Sequence, residues 1–173
     1  SVSIHNNYAI CGAPENNDGE VPATGSAYIF VREDDEWRQQ SKITASDAAE
    51  GDFFGYSASI YADHVIVGAW YKGNGTGSAY AFSRDGDGWA EQARLIPDND
   101  GRALYGISVS FNGENAIVGA RNENVNNVSA GAAYIYKLFE SNPEIVLSSG
   151  IVEFGTVVVG STADITLTMT NIG

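Results

Sequence analysis

The chain has 173 residues, of which 43% are hydrophobic and 18% charged, a globular composition that excludes an intrinsically disordered chain. Its 9 basic and 22 acidic residues give a formal net charge of −13, which disfavours nucleic acid and anionic membrane surfaces as partners. Cys11 is the single cysteine, which excludes an intrachain disulfide, and no apolar run is long enough for membrane insertion.

The first unit of the chain is predicted to hold four short strands. "SVSIHNNYAICGAP", residues 1–14, places Val- and Ile-containing segments on either side of the polar turn "HNN", which favours two strands. After a variable loop, "GSAYIF" from Gly25 predicts a third strand, and "WRQQSKI" from Trp37 predicts a polar fourth strand. The unit closes with "DFFG", which ends at Gly55.

The second unit repeats this order of elements. "SASIYADHVIVGAW", residues 57–70, corresponds to the first strand pair, and "GSAYAF" from Gly77 corresponds to the third strand. "WAEQARLI" from Trp89 predicts another polar fourth strand, and "ALYG" closes the unit at Gly106. We find no convincing helical periodicity in these segments.

The third unit begins with "SVSFNGENAIVGAR", residues 108–121, and continues with "GAAYIY" from Gly131, but no Trp-led fourth strand follows. The three units start 56 and 51 residues apart. Repeats of about 50 residues with four short antiparallel strands are typical of β-propeller blades. We therefore predict an all-β fold: a partial β-propeller of three four-stranded antiparallel blades (1–55, 56–106 and 107–140), the last one incomplete.

The glycine-rich stretch "TGSAYAFSRDGDGW", residues 76–89, resembles a phosphate-binding loop at first sight. Such a loop leads into a helix N-terminus, whereas Trp89 here opens a predicted strand. Asp-Gly supplies the backbone conformation of a tight hairpin. The stretch is therefore interpreted as a strand, a turn and the start of the next strand.

The units resemble the FG-GAP repeats of integrin-like β-propellers, in their bacterial form. The resemblance is carried by Phe54-Gly55, by Gly12-Ala13-Pro14 and by the ordered recurrence of "AIVGA"-like and "GSAYIF"-like strands over residues 1–138. Integrin-type repeats often hold calcium in an acidic turn between the first two strands of a blade, but the turns here are "HNN", "ADH" and "NGE". We therefore predict no metal and no cofactor. "NNDG" at 16–19 and "DNDG" at 98–101 match a calcium loop only in part, so we interpret them as solvated turns, with calcium binding as the alternative.

The segment 143–173 differs in composition from the repeats. "EFGTVVVG" at 153–160 and "LTMTNIG" at 167–173 resemble the start of an immunoglobulin-like module of the Hydin/ASPM type, which would make the tail the first strands of a β-sandwich. Three blades do not close a propeller. We therefore expect the missing blades upstream in a parent chain or from self-assembly, with the fragment favoured.

The sequence contains little that indicates a catalytic site. No serine or cysteine nucleophile is tied to His5 or His64, so we predict no catalytic residues and no enzyme activity. Long variable loops follow the second and fourth strands of each blade, and blade geometry places them on one face. We predict ligand-binding residues there: Trp70 and Tyr71, with Glu15 and Arg121 in the equivalent loops. Packing between adjacent blades is the alternative role for the two aromatic residues.

The predicted function is non-enzymatic binding or adhesion by a secreted or cell-surface protein. The expected partner is a protein or a glycan, recognised through the long loops on one propeller face. Two alternatives stay open at this point: a carbohydrate-binding, lectin-like propeller, and an accessory propeller of a larger extracellular enzyme.

Overall fold

The computed structural model describes residues 1–17, 19–97, 101–125, 128–138 and 150–152. The described residues are almost entirely β, as predicted from the repeats. The first sheet is antiparallel and has the order β1-β2-β3-β4. Its strands are β1 (Val2–His5), β2 (Tyr8–Ala13), β3 (Ser26–Glu33) and β4 (Glu36–Ile43).

The second sheet repeats this order as β5-β6-β7-β8. Its strands are β5 (Ser57–Tyr61), β6 (His64–Ala69), β7 (Ser78–Asp85) and β8 (Gly88–Leu95). A four-residue helical turn, α1 (Lys72–Gly75), lies between β6 and β7. The sequence did not predict it, because Gly73 and Asn74 have positive φ (64° and 60°) and the segment is too short to show a helical period.

The third sheet has the order β9-β10-β13-β14, with a small hairpin of β11 and β12 inserted after β10. Its strands are β9 (Tyr105–Phe111), β10 (Asn115–Ala120), β13 (Ala132–Lys137) and β14 (Gly150–Val152), and the hairpin is β11 (Asn124–Val125) and β12 (Val128–Ser129). Residues 105–137 thus supply three long strands, and the third unit was predicted to be incomplete. The fourth position is taken by the three-residue β14, from the segment predicted to begin the immunoglobulin-like module; the rest of that module lies outside the described residues.

Each sheet contributes apolar side chains to the space between it and its neighbour, so the core is divided between two junctions. The first junction joins sheets one and two, and its largest buried members are Ile10, Ile29, Phe54, Val65, Val67 and Tyr80. The second junction joins sheets two and three, and its largest buried members are Ile66, Leu95, Tyr105, Val118 and Tyr134. Four-stranded antiparallel sheets packed face to face in chain order are the arrangement of propeller blades, which confirms the fold class.

Serines in the first strands of the first two blades bond to the next blade. The Ser3 Oγ accepts the Ile60 N–H (3.2 Å), and at the next junction the Ser59 Oγ accepts the Phe111 N–H (3.1 Å). Small residues suit these positions, because the first strands of neighbouring blades lie close together. The structure adds that their hydroxyls satisfy backbone groups of the neighbouring strand.

The hairpin interpretation of residues 76–89 is confirmed. Strands β7 and β8 run antiparallel, with Asp85 paired to Gly88, so the connection is the two-residue turn Gly86-Asp87. Gly86 has a φ of 59°, the conformation that this tight turn requires.

Two glycines in the second strands allow the blades to approach closely. A Cβ placed on Gly12 would lie 1.9 Å from the carbonyl oxygen of Gly55, and one on Gly68 would lie 2.0 Å from that of Gly106. Both acceptors belong to the aromatic–glycine turn that enters the following blade. The atom that each added Cβ would meet is a backbone oxygen, so no rotation of a side chain would relieve the clash.

Replacing Gly68 by Ala is therefore expected to destabilise the chain by about 1–3 kcal/mol, the usual cost of overpacking a close-packed contact. Urea unfolding followed by circular dichroism measures the change. Gly88→Ala is the matched control, because its Cβ would meet nothing closer than the Asp85 carbonyl oxygen at 3.5 Å. Equal stability of the two variants would contradict the close-approach explanation.

Candidate functional site: the long-loop face

The predicted long-loop face is formed by two sets of connections that hydrogen-bond to one another. The Phe54 N–H donates to the Thr24 carbonyl (3.1 Å), and the Tyr105 N–H donates to the Thr76 carbonyl (3.1 Å). Each bond ties the loop that enters a blade to the loop between the second and third strands of the preceding blade. The two sets of loops therefore lie at the same end of the sheets, as blade geometry predicts.

Four aromatic rings from two of these loops form a contiguous cluster, here called the aromatic patch (Phe53, Tyr56, Trp70 and Tyr71). Trp70 stacks on Phe53 with ring centroids 5.7 Å apart and planes inclined by 21°. Tyr56 lies 5.6 Å from Trp70 on a tilted plane, and Tyr71 lies 5.1 Å from Trp70 edge-on. Stacked and edge-on pairs at these separations attract one another beyond simple burial.

The patch remains open to solvent. Tyr56 is 44% exposed, and Phe53, Trp70 and Tyr71 are half-buried. The Trp70 Nε1 is buried and has no hydrogen-bond partner among the described residues, so carbon atoms of the ring face solvent.

Arg102 adds a positive charge at the edge of the patch. Its guanidinium carbon lies 5.8 Å from the centre of the Tyr71 ring, and its NH2 group donates to the Tyr71 hydroxyl (3.2 Å). A guanidinium at this distance from a ring makes a cation–π contact. Arg102 is itself exposed and is held against Tyr71 by these two contacts.

An ion cluster with a buried centre adjoins the patch, next in sequence to Phe53 and Tyr71. The Lys72 Nζ contacts the Asp52 Oδ2 (2.8 Å) and the Asp47 Oδ1 (3.3 Å), and it also donates to the Asp47 carbonyl. Lys72 and Asp52 are only 8% and 4% exposed. The Asp47 carboxylate accepts two further bonds, from the Tyr80 hydroxyl (2.7 Å) and from the Arg94 NH1 group (2.8 Å). The cluster fixes the loop that carries Phe53 to the loop that carries Trp70.

The titration behaviour of this cluster follows from its contacts. Burial alone raises the pKa of Asp47, but the Tyr80 hydrogen bond and the charges of Lys72 and Arg94 outweigh it, so the net pKa lies below its ordinary value of 3.8. Burial and the neighbouring Asp47 raise the pKa of Tyr80 far above its ordinary value. Asp47 thus remains charged and Tyr80 remains a neutral donor at physiological pH.

The equivalent tyrosines of the other blades are held in different ways. The Tyr28 hydroxyl accepts from the Asn16 Nδ2, and the Tyr134 hydroxyl donates to the Glu123 Oε2 (3.1 Å). Asn16 and Glu123 occupy the same place after the second strand of their blades, where the second blade has Lys72, whose partner Asp47 is the residue that bonds to Tyr80. The repeat therefore keeps the tyrosine and varies its loop partner.

The predicted site residues are only partly brought together. Trp70 and Tyr71 are joined in the patch, whereas Glu15 and Arg121 are exposed on the two neighbouring blades. Among the described residues, no hydrogen bond, ion pair or ring contact links either of them to the patch.

Sequence reasoning missed three of the residues that build the site: Phe53, Tyr56 and Arg102. The signal was present, since blade geometry places 44–56 and 96–104 beside the loop of Trp70. Aromatic and cationic residues in those loops were therefore candidates from the start. "DFFGY" was instead interpreted only as the end of a unit.

In the part of the chain that the structure describes, no three His, Cys, Asp or Glu side chains are grouped to hold a metal ion. Asp18 and residues 98–100 of the two partial calcium motifs lie outside the described residues.

The two histidines make structural contacts. The His5 Nδ1 accepts the Ala62 N–H (3.0 Å), and its ring stacks on Tyr61 at 4.1 Å. The His64 ring lies edge-on to Phe111 at 6.2 Å.

A family model described as the FG-GAP repeat matches residues 37–82 and 89–136, more than half of the chain. The chain belongs to the FG-GAP repeat family. Each FG-GAP match begins at the Trp-led fourth strand of one blade and ends in the third strand of the next. The family repeat is therefore centred on a blade junction. A comparison with curated proteins found no match.

FG-GAP repeats usually occur in extracellular proteins, where they suggest a propeller-type binding module. None of the helices among the described residues is long and apolar enough to cross a bilayer.

Acid is expected to weaken the ion cluster through Asp47. Because the folded pKa is lowered, the stabilisation from Asp47 is complete above its unfolded pKa near 3.8 and is lost as the pH falls through the lower folded value. Asp47→Asn should therefore lower the urea midpoint at pH 6, and its difference from the unmodified chain should shrink below pH about 4. Asp35→Asn, which changes a carboxylate whose side chain is 88% exposed, is the control. A difference that stays constant with pH would contradict the assignment.

Removing the buried cation, Lys72, is expected to lower the free energy of unfolding by a larger amount. Lys72→Met leaves the Asp52 carboxylate buried without its counter-charge, which typically costs about 3–5 kcal/mol. The double variant with Asp52→Asn should regain part of that loss, because no charge is then left buried. Lys42→Met, at an exposed position of β4, is the control in the same urea titration. A double variant less stable than Lys72→Met alone would contradict the pairing.

Proposed function

We propose that the long-loop face is a binding surface for a protein or glycan ligand and that the chain acts as a non-enzymatic binding or adhesion module. The observation that carries this proposal is the aromatic patch. Its four rings form one connected cluster and are only partly buried, and the cationic Arg102 contacts Tyr71 at its edge. Clustered aromatic residues with arginine are the composition that binding hot spots favour.

The contacts that hold the patch in place favour a role in recognition over a purely structural role. The ion cluster and the backbone bonds of Phe54 hold both loops, so the rings need little ordering when a ligand binds. Preorganised rings lose little conformational entropy on binding, which raises affinity for a given contact area. A ligand would stack on the exposed face of Trp70 and approach Arg102 with an acceptor group.

A secreted or cell-surface location and the bacterial form of the repeat belong to the same proposal. They are supported by the family's usual occurrence and by the recurring "AIVGA" and "GSAYIF" segments. The residues after Val152 include "EFGTVVVG" and "LTMTNIG", on which we base the proposal of an immunoglobulin-like spacer.

A ligand screen with two tryptophan variants tests the proposed face. The labelled chain is applied to an array that carries glycans in one section and purified extracellular matrix proteins in the other. For the best ligand, Trp70→Ala should weaken binding at least about ten-fold, because truncating a hot-spot aromatic costs roughly 2 kcal/mol or more. Trp37→Ala is the matched control, because Trp37 is 42% exposed at the opposite end of its blade.

The two sections of the array distinguish the ligand classes. A glycan signal that depends on Trp70 supports the lectin-like alternative, and a protein signal that depends on Trp70 supports the adhesion module. Binding that Trp37→Ala abolishes and Trp70→Ala leaves intact would overturn the assignment of the face.

A further inference from the structure

The polar groups at the edge of the aromatic patch restrict which ligand can bind there. Trp70 contacts the other three rings, but its Nε1 donor is buried and cannot reach a ligand. The Tyr71 hydroxyl accepts a hydrogen bond from Arg102 and keeps its own hydrogen for donation. The polar groups that these contacts place beside the rings, Arg102 and the Tyr71 hydroxyl, are therefore hydrogen-bond donors.

Arg102 differs from most arginines of the chain because no carboxylate contacts it among the described residues. Four other arginines make ion pairs with aspartate or glutamate: Arg32, Arg38, Arg84 and Arg94. Arg102 instead lies against the Tyr71 ring and beside Gly75, where an added Cβ would come within 3.3 Å of the Arg102 Nε. A guanidinium has five N–H donors and no acceptor. Arg102 is thus an exposed donor group that two neutral residues hold in position.

The carboxylates that adjoin the patch are already bonded within the protein. Asp52 accepts the Ala49 N–H (2.7 Å), contacts the Lys72 Nζ (2.8 Å) and is 4% exposed. The Asp47 carboxylate likewise accepts the Tyr80 hydroxyl (2.7 Å). A ligand that brings donors, such as a sugar with several hydroxyl groups, would meet acceptors that are already occupied. A ligand that brings only acceptors has no donor to leave unsatisfied when it loses water.

The charge of the chain restricts the ligand further. A formal net charge of −13 disfavours acidic ligands, whereas a neutral ligand experiences no such repulsion. The observations therefore favour a neutral ligand that offers flat apolar groups to the rings and acceptors without donors to Arg102.

Proline-rich peptide segments have this combination of properties. Proline has an apolar ring and no backbone N–H, and its carbonyl remains an acceptor. The polyproline II helix that such segments adopt has no internal hydrogen bonds, so its carbonyls are free to accept from a partner. The helix is also preformed, so it loses little conformational entropy when it docks on an aromatic-lined surface.

We propose that the ligand of the aromatic patch is a proline-rich segment of a partner protein in the polyproline II conformation. This inference rests on the proposed function of the long-loop face and names the class of ligand that the face binds. Proline rings would pack on Trp70 and Tyr56, and a backbone carbonyl of the segment would accept a hydrogen bond from Arg102.

The test titrates fluorescein-labelled decaproline with the purified chain and follows the fluorescence anisotropy. Decaproline carries no side-chain charge and adopts the polyproline II helix. The comparison peptide has the same label and length but consists of Gly-Ser repeats, which form a flexible coil with a backbone N–H at each residue. We expect saturable binding of decaproline and at least about ten-fold weaker binding of the comparison peptide.

Variants of the chain locate the binding. Trp70→Ala should weaken decaproline binding by about ten-fold or more, and the control Trp37→Ala should leave it unchanged. Arg102→Met keeps a long side chain and removes the donors, so it should also weaken binding by about ten-fold, the usual effect of losing a hydrogen bond to a charged group. Because Arg102 is exposed, this variant tests the proposal even if Trp70→Ala fails to fold.

The outcomes separate the ligand class from the face itself. Decaproline binding that each folded variant weakens supports the proposal. Binding that either folded variant leaves unchanged, equal binding of the two peptides, or no binding of decaproline overturns it. If decaproline does not bind but a glycan or another protein from the array loses binding on Trp70→Ala, the proposed function stands and only the proline-rich ligand is wrong. If no ligand in either experiment depends on Trp70, the proposed function fails as well.

Discussion

The contact on which the rest of the structure depends is the approach of a glycine carbonyl in one blade to a glycine in the second strand of the preceding blade. At both junctions a Cβ at Gly12 or Gly68 would lie about 2 Å from that carbonyl, so the blades are spaced by backbone and not by side chains. The neighbouring aromatic residues, Phe54 and Tyr105, are completely buried and fill the space beside the contact. The turn that makes this contact also leads into the next blade. The position of the turn therefore determines where the surrounding loops begin and end.

This constraint separates a constant scaffold from a variable face. The tyrosine of the third strand recurs in all three blades, but its hydroxyl meets Asn16, Asp47 or Glu123 according to the blade. The interaction changes from a neutral bond to a charged cluster without moving the strand. A loop can therefore change its composition while the blade junction stays the same, which is the condition under which recognition evolves on loops. In the second blade the ion cluster also joins two loops, and these loops carry the rings of the aromatic patch.

The strands, their order and the 76–89 hairpin could be predicted because each depends on local pattern: alternation within a strand, recurrence between units and turn chemistry at Asp-Gly. The site could be predicted only as a face and two residues, Trp70 and Tyr71. The partners of these residues come from loops 14 or more residues away in sequence, and nothing in a single loop specifies which rings will stack. The pairing of Lys72 with Asp52 was missed for the same reason, since neither residue belongs to a periodic segment. The three-residue β14 is too short to carry an alternation signal, and its position is set by the exposed edge of β13.

Charge and geometry together determine what kind of ligand the proposed face favours. The chain carries a formal charge of −13, so long-range attraction of an acidic ligand is weak everywhere, including near Arg102. Recognition on the patch therefore depends on short-range contact with the rings and on one directed hydrogen-bond donor. Interactions of this kind affect dissociation more than association, and they are less sensitive to salt than contacts between charged surfaces. A face with this balance suits a neutral or basic ligand that offers a flat apolar surface beside an acceptor group. The negative net charge of the chain disfavours an acidic polymer as the ligand.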